Sequence, residues 1–82
     1  MNIVEMESPF VIEAKTTGFN RNRSVTYFFV DSYYNVFIDK RDLILAQIHA
    51  CERLLKYTTD RIDQIILEKE IGDLTLMLDL IE

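Results

Sequence analysis

The chain has 82 residues, a hydrophobic fraction of 49% and a formal net charge of −5 at pH 7. A chain of this length fits one small domain, and its apolar content excludes a wholly disordered protein. The acidity disfavours nucleic acid and anionic membranes as partners, because both are bound by basic surfaces. Residues 1–41 carry five acidic and five basic side chains, whereas residues 42–82 carry nine and four.

The sequence shows no mark of a secreted or membrane protein. No run of about 18 apolar residues could span a bilayer, and the N-terminus lacks the basic and then apolar order of a signal peptide. The single cysteine cannot form an intrachain disulfide. We therefore expect a cytoplasmic protein that does not contact the membrane.

Three stretches of the first half have the composition of strands. Apolar and polar residues alternate over about residues 9–17, and residues 24–31 contain the β-branched and aromatic run VTYFFV. The residues between them, which begin with Gly18, have loop composition. A short apolar run at about residues 35–38 predicts a third strand, and the three strands together predict an antiparallel meander.

Apolar residues recur at helical spacing through the second half, which predicts helices at about residues 40–57 and 60–81. The polar residues 58–60 suit a turn followed by a helix N-cap. Since no Gly or Pro marks a stop there, one unbroken helix of about 40 residues also fits the pattern. Residues 74–80 also alternate as a strand would, although the upstream helical spacing favours a helix.

The predicted fold class is α+β, with one domain over residues 1–82. A three-stranded antiparallel β-meander is followed by two helices, as a helical hairpin or as one long helix, packed on one face of the sheet. The first helix and the sheet have enough apolar residues to form one small core. The second helix then has apolar surface left over.

That surplus predicts self-association. A stripe in the second helix has the spacing of a helix–helix seam. Its members are Leu67, Ile71, Leu74, Leu78 and Ile81. Leu76, Met77 and Leu80 lie outside this stripe and are apolar as well, so something must cover them. We expect a small regulatory or protein–protein interaction protein that forms a dimer or higher homo-oligomer through its C-terminal helix.

Catalysis is not expected. His49 and Cys51 have the strongest nucleophilic or metal-binding chemistry in the sequence, but two residues apart on a helix they point about 160° away from each other. The sequence has no ligand spacing of a metal site, and its two glycines are too few for a phosphate-binding loop. The sequence therefore predicts no catalytic residue, no metal and no cofactor.

Two other functions are compatible with the sequence. One is an acidic inhibitor or nucleic-acid mimic, of a kind found in phages and other mobile elements, which binds a basic surface of a target protein. It would use helix carboxylates, namely Asp60, Asp63, Glu68, Glu70, Asp73 and Asp79. The other is weak nucleic-acid binding through the basic 15–23 hairpin. It would use Lys15, Arg21 and Arg23, assisted by Lys40 and Arg41. The simpler interpretation is that these arginines form salt bridges with the acidic helices.

Overall fold

The computed structural model describes residues 11–19, 22–31 and 39–81. In chain order they form strand β1 (Val11–Thr17), strand β2 (Ser24–Asp31), helix α1 (Lys40–Tyr57) and helix α2 (Arg61–Ile81). The predicted α+β class is therefore confirmed. Within these ranges, no helix combines the length and the apolarity needed to cross a bilayer.

The two strands form an antiparallel hairpin. Lys15 lies opposite Thr26 and Thr17 lies opposite Ser24, and the register shifts between Val11 and Ile12. Ile12 is buried and Ala14 is partly buried, while Glu13, Lys15 and Thr17 are exposed, as the alternating sequence predicts. One face of the sheet therefore packs against the helices.

The prediction of a three-stranded meander is wrong in its strand count. The described part of the chain contains a sheet of two strands, β1 and β2, and the predicted third strand at residues 35–38 lies outside the described residues. A run of three apolar residues is too short to show the alternation of a strand. Its composition alone therefore does not distinguish a strand from the connection into the next helix.

The second half forms two helices, so the alternative of one long helix is wrong. Asp39 caps α1 by accepting a hydrogen bond from the backbone N–H of Arg41, and Thr58 ends α1 with its N–H donated to the Leu55 carbonyl. Asp60 then accepts a hydrogen bond from the backbone N–H of Ile62 at the start of α2, at 2.9 Å. Polar caps therefore stop and restart the helix without a Gly or Pro. Residues 74–80 are helical.

Helix α1 lies at the centre of the packing. Its Ala46 and Ala50 pack with Ile12 of β1, and another side of α1 packs against α2. That second cluster consists of Ile44, Ile48, Cys51, Leu67 and Leu74. Helix α2 has its main contacts with α1 and only a few with β2. One helix is thus covered on two sides, and the other on one.

Substitution by alanine should change the free energy of unfolding in opposite directions at the two glycines. Gly18 has φ +107°, and a Cβ there would lie 2.5 Å from the carbonyl oxygen of Asn22, whereas a Cβ on Gly72 would meet nothing within 4 Å. We expect Gly18→Ala to lower the free energy of unfolding by more than about 1 kcal/mol. In the single chain, Gly72→Ala should raise it by about 0.5–1 kcal/mol, because alanine is the better helix former.

Urea denaturation of both glycine variants beside the wild type measures these changes. Equal shifts of the same sign would contradict the conformations described for the two glycines.

Candidate association surface

The hydroxyl of Tyr27 joins three of the four elements. It donates a hydrogen bond of 2.6 Å to Glu70 Oε2 on α2, and it lies 3.2 Å from Cys51 Sγ on α1. A phenol has one proton, so the thiol is the donor in the second hydrogen bond. Burial, with these two hydrogen bonds, raises the pKa of Tyr27. The neutral phenol of β2 thereby fixes the position of both helices.

Arg23 makes a second connection between the hairpin and α2. Its Nη1 atom lies 2.8 Å from Asp60 Oδ2 and 2.7 Å from Asp63 Oδ1, at the N-terminus of α2. The hydrogen bond from Arg23 holds the pKa of Asp60 below its usual range, and the two carboxylates raise the pKa of Arg23. This ion pair and Tyr27 hold α2 at points nearly two helical turns apart, so they also fix its rotation about its own axis.

With α2 held in this rotation, most of the predicted seam faces inward. Leu67 and Leu74 are buried, and Ile71 and Leu78 are partly buried against the same cluster of α1 and α2. Ile81 is 43% exposed. In the single chain, the stripe is therefore the surface by which α2 packs on α1.

The opposite side of α2 carries an apolar surface that the described part of the chain leaves exposed. At about 100° per residue, its positions lie about 160–220° around the helix from Leu67. We define this outer face of α2 by Ile62, Ile65, Leu76 and Leu80, which are between 41% and 77% exposed. Lys69 and Asp73 lie between the two apolar pairs and form an ion pair of 2.9 Å. The outer face is thus apolar at both ends and charged in the middle.

An apolar groove adjoins the C-terminal end of the outer face. It has a volume of about 410 Å³ and lies between the first turns of α1 and the last turns of α2. Its lining includes Leu43 of α1 and Met77, Leu80 and Ile81 of α2. Leu80 belongs to both the groove and the outer face, so the exposed apolar surface is continuous there.

The structure separates the two chemically reactive side chains. Cys51 is fully buried, and burial raises the pKa of its thiol, which keeps the thiol in its unreactive protonated form. His49 is partly exposed. Among the described residues, no group of three or more His, Cys, Asp or Glu side chains could hold a metal ion.

The charged residues singled out in the sequence have mixed roles. Arg23 is engaged by Asp60 and Asp63, Lys15 is exposed on β1, and Arg21 lies outside the described residues. Of the predicted acidic surface, Asp60 and Asp63 therefore face a cation, and Glu70 accepts a hydrogen bond from the Tyr27 hydroxyl. Glu68 and Asp79 are exposed. Much of the charge assigned to partner binding is used within the fold.

Comparisons of the chain with protein families, with curated proteins and with solved structures found no match.

The sequence does not by itself separate the outer face from the seam. Leu76 and Leu80 are apolar residues outside the stripe, and Ile62 and Ile65 continue the apolar pattern of α1. The information that could have defined the face was the angular position of all four on one side of α2. Choosing which of two apolar sides is covered required knowing that α1 occupies the other.

Replacing Tyr27 with Phe should destabilise the protein by about 1–2 kcal/mol, because Glu70 and Cys51 both lose a hydrogen-bond partner. The raised pKa of Tyr27 means that its contribution is complete below about pH 10 and is lost as the pH rises further. Urea denaturation at neutral and alkaline pH measures both effects. Tyr57→Phe is the matched control, since Tyr57 is 80% exposed. Equal stabilities of the two variants would contradict the hydrogen bonds described for the Tyr27 hydroxyl.

Replacing Arg23 with Ala should lower the melting temperature at neutral pH, because Asp60 and Asp63 lose their cation. The pKa of Asp60 is lowered in the folded state, so the ion pair stabilises above the unfolded value of about 3.9 and is lost as the pH falls through the folded value. Thermal denaturation from neutral to acidic pH should show the difference from wild type shrinking below about pH 4. Lys15→Ala, in the same hairpin, serves as the control. A difference independent of pH would rule out this pairing.

Proposed function

We propose that this chain is a non-catalytic interaction protein that self-associates through helix α2. The observation that supports the proposal is the outer face of α2, on which Ile62, Ile65, Leu76 and Leu80 are exposed on one side of a single helix. Leu76 and Leu80 are 58% and 77% exposed. Large apolar side chains that share one side of a helix favour a partner that removes them from water.

The order of residues along this face favours a second copy of the chain as the partner. Ile62 and Leu80 lie about 27 Å apart along the helix axis, with the charged pair of Lys69 and Asp73 between them. A partner that covers the whole face must be apolar at both ends and charged in its middle. Helix α2 of another copy has that arrangement.

Self-association would also relieve a limit of small size. A domain of about this length buries a smaller share of its surface than a larger one, and its core is marginal. Within the described ranges, α1 has the sheet on one side and α2 on another, while α2 has one main neighbour. A second copy placed against the outer face would give α2 a second neighbour.

The association is tested by placing charge on the outer face. Leu76→Glu with Leu80→Glu should give a folded monomer, because both side chains are exposed in the single chain and neither supports its core. Sedimentation equilibrium measures the mass, and circular dichroism confirms the helices. The wild type should be a dimer or higher oligomer at micromolar concentration.

The matched control is Phe19→Glu with Tyr57→Glu, which adds the same charge at two exposed side chains that do not belong to α2. This control should associate as the wild type does. A monomeric wild type would refute the proposal. Loss of helical structure in the Leu76 and Leu80 variant would show instead that these side chains support the fold.

A further inference from the structure

The order of apolar and charged residues along the outer face of α2 is similar in both directions of the helix. Ile62 and Leu80 each lie nine residues from position 71, and Lys69 and Asp73 each lie two residues from it. Ile65 and Leu76 lie six and five residues from the same position. Members of each pair also lie within about 40° of each other around the helix. The face is therefore close to symmetric about the level of residue 71, with opposite charges at its middle pair.

This symmetry has a structural consequence for two copies of the helix. When two identical helices pack antiparallel about a twofold axis, a residue faces the residue that lies equally far on the other side of the axis. With the axis level with residue 71, Ile62 faces the partner's Leu80 and Ile65 faces the partner's Leu76. Lys69 faces the partner's Asp73, and the same contact occurs twice.

A parallel arrangement in register would have the opposite electrostatics. Lys69 would then face the partner's Lys69, and Asp73 would face the partner's Asp73. Like charges placed directly opposite each other weaken an interface, whereas opposite charges stabilise it and fix the register. Charge complementarity therefore selects the antiparallel arrangement.

Gly72 is suited to the centre of such an interface. It lies one residue from the symmetry point, it is exposed, and a Cβ there would meet nothing within 4 Å in the single chain. The absence of a side chain lets two helix backbones approach closely near the axis. The four apolar side chains of the face lie towards its two ends.

We infer that two copies of the chain pair through antiparallel α2 helices about a twofold axis level with residue 71, with Lys69 of each copy bound to the partner's Asp73. This inference rests on the proposed function and specifies its partner and orientation. The ion pair of 2.9 Å that Lys69 and Asp73 form within one helix is exchanged for, or shared with, the same pair between copies.

Disulfide crosslinking tests the orientation. Ile62→Cys and Leu80→Cys are prepared as separate proteins, mixed and oxidised; the native Cys51 is fully buried and does not interfere. The mixture should give a crosslinked dimer containing one copy of each variant, and each variant alone should give at least tenfold less. Glu68→Cys mixed with Leu80→Cys is the control, since Glu68 is exposed on another side of α2.

Charge reversal tests the central pair. Lys69→Glu places two acidic side chains opposite each other, and Asp73→Lys places two lysines opposite each other, so each variant alone should associate about tenfold more weakly than wild type. An equimolar mixture of the two should recover wild-type affinity in sedimentation, because each copy then faces opposite charge. Neither variant keeps the ion pair within its own helix, so recovery reports the contact between copies.

The outcomes separate the inference from the proposed function. A monomeric wild type overturns both. An associating wild type in which Ile62→Cys alone forms the crosslink supports the proposed function and overturns the antiparallel arrangement in favour of a parallel one. An associating wild type with no crosslink in any mixture shows that another surface mediates the contact, which also overturns the inference.

Discussion

The packing of this protein depends on where the hydroxyl of Tyr27 lies. It is within hydrogen-bond distance of Cys51 on α1 and Glu70 on α2, so one side chain of the sheet determines how both helices are placed. Contacts between leucine and isoleucine side chains are strong but have little directional preference, and an apolar helix could satisfy them in several rotations. A partly buried hydrogen bond to a carboxylate is directional and costly to lose. It therefore selects one rotation of α2, and the ion pair of Arg23 with Asp60 and Asp63 selects the same one.

The selected rotation determines which apolar surface the chain covers. Leu67 and Leu74 enter the core against α1, and the outer face of α2 is left exposed. Among the residues that the structure describes, one central helix has neighbours on two sides and one peripheral helix has a single main neighbour. The surplus apolar surface is thus a consequence of size and element order. The same fold that completes the core displays a second apolar side, and this connects stability to the proposed association.

Charge has a similar division of roles. The net charge of −5 comes from the second half of the chain. The sequence alone suggests that all of this charge is available to a partner. In the structure, Asp60 and Asp63 hold the hairpin through Arg23, and Glu70 holds Tyr27. Lys69 and Asp73 pair on the outer face and give its centre both signs of charge. Charges on one helix therefore support the fold at its inner edge and, in the proposed dimer, specify the orientation of the partner on the other side.

The sequence by itself determined the α+β class, the strands of the β1–β2 hairpin and the helical character of the second half, but it left open whether that half forms two helices or one. Each of these follows from local periodicity, composition and polar caps, which act between residues close in the chain. It also showed that α2 has apolar residues on more than one side. It did not determine whether the stripe from Leu67 to Leu78 or the outer face would be covered, and it predicted a third strand from an apolar run too short to show a period. Only the tertiary structure decided the covered side, because Tyr27 and Glu70 are far apart in sequence and their contact exists only once the sheet and both helices have assembled.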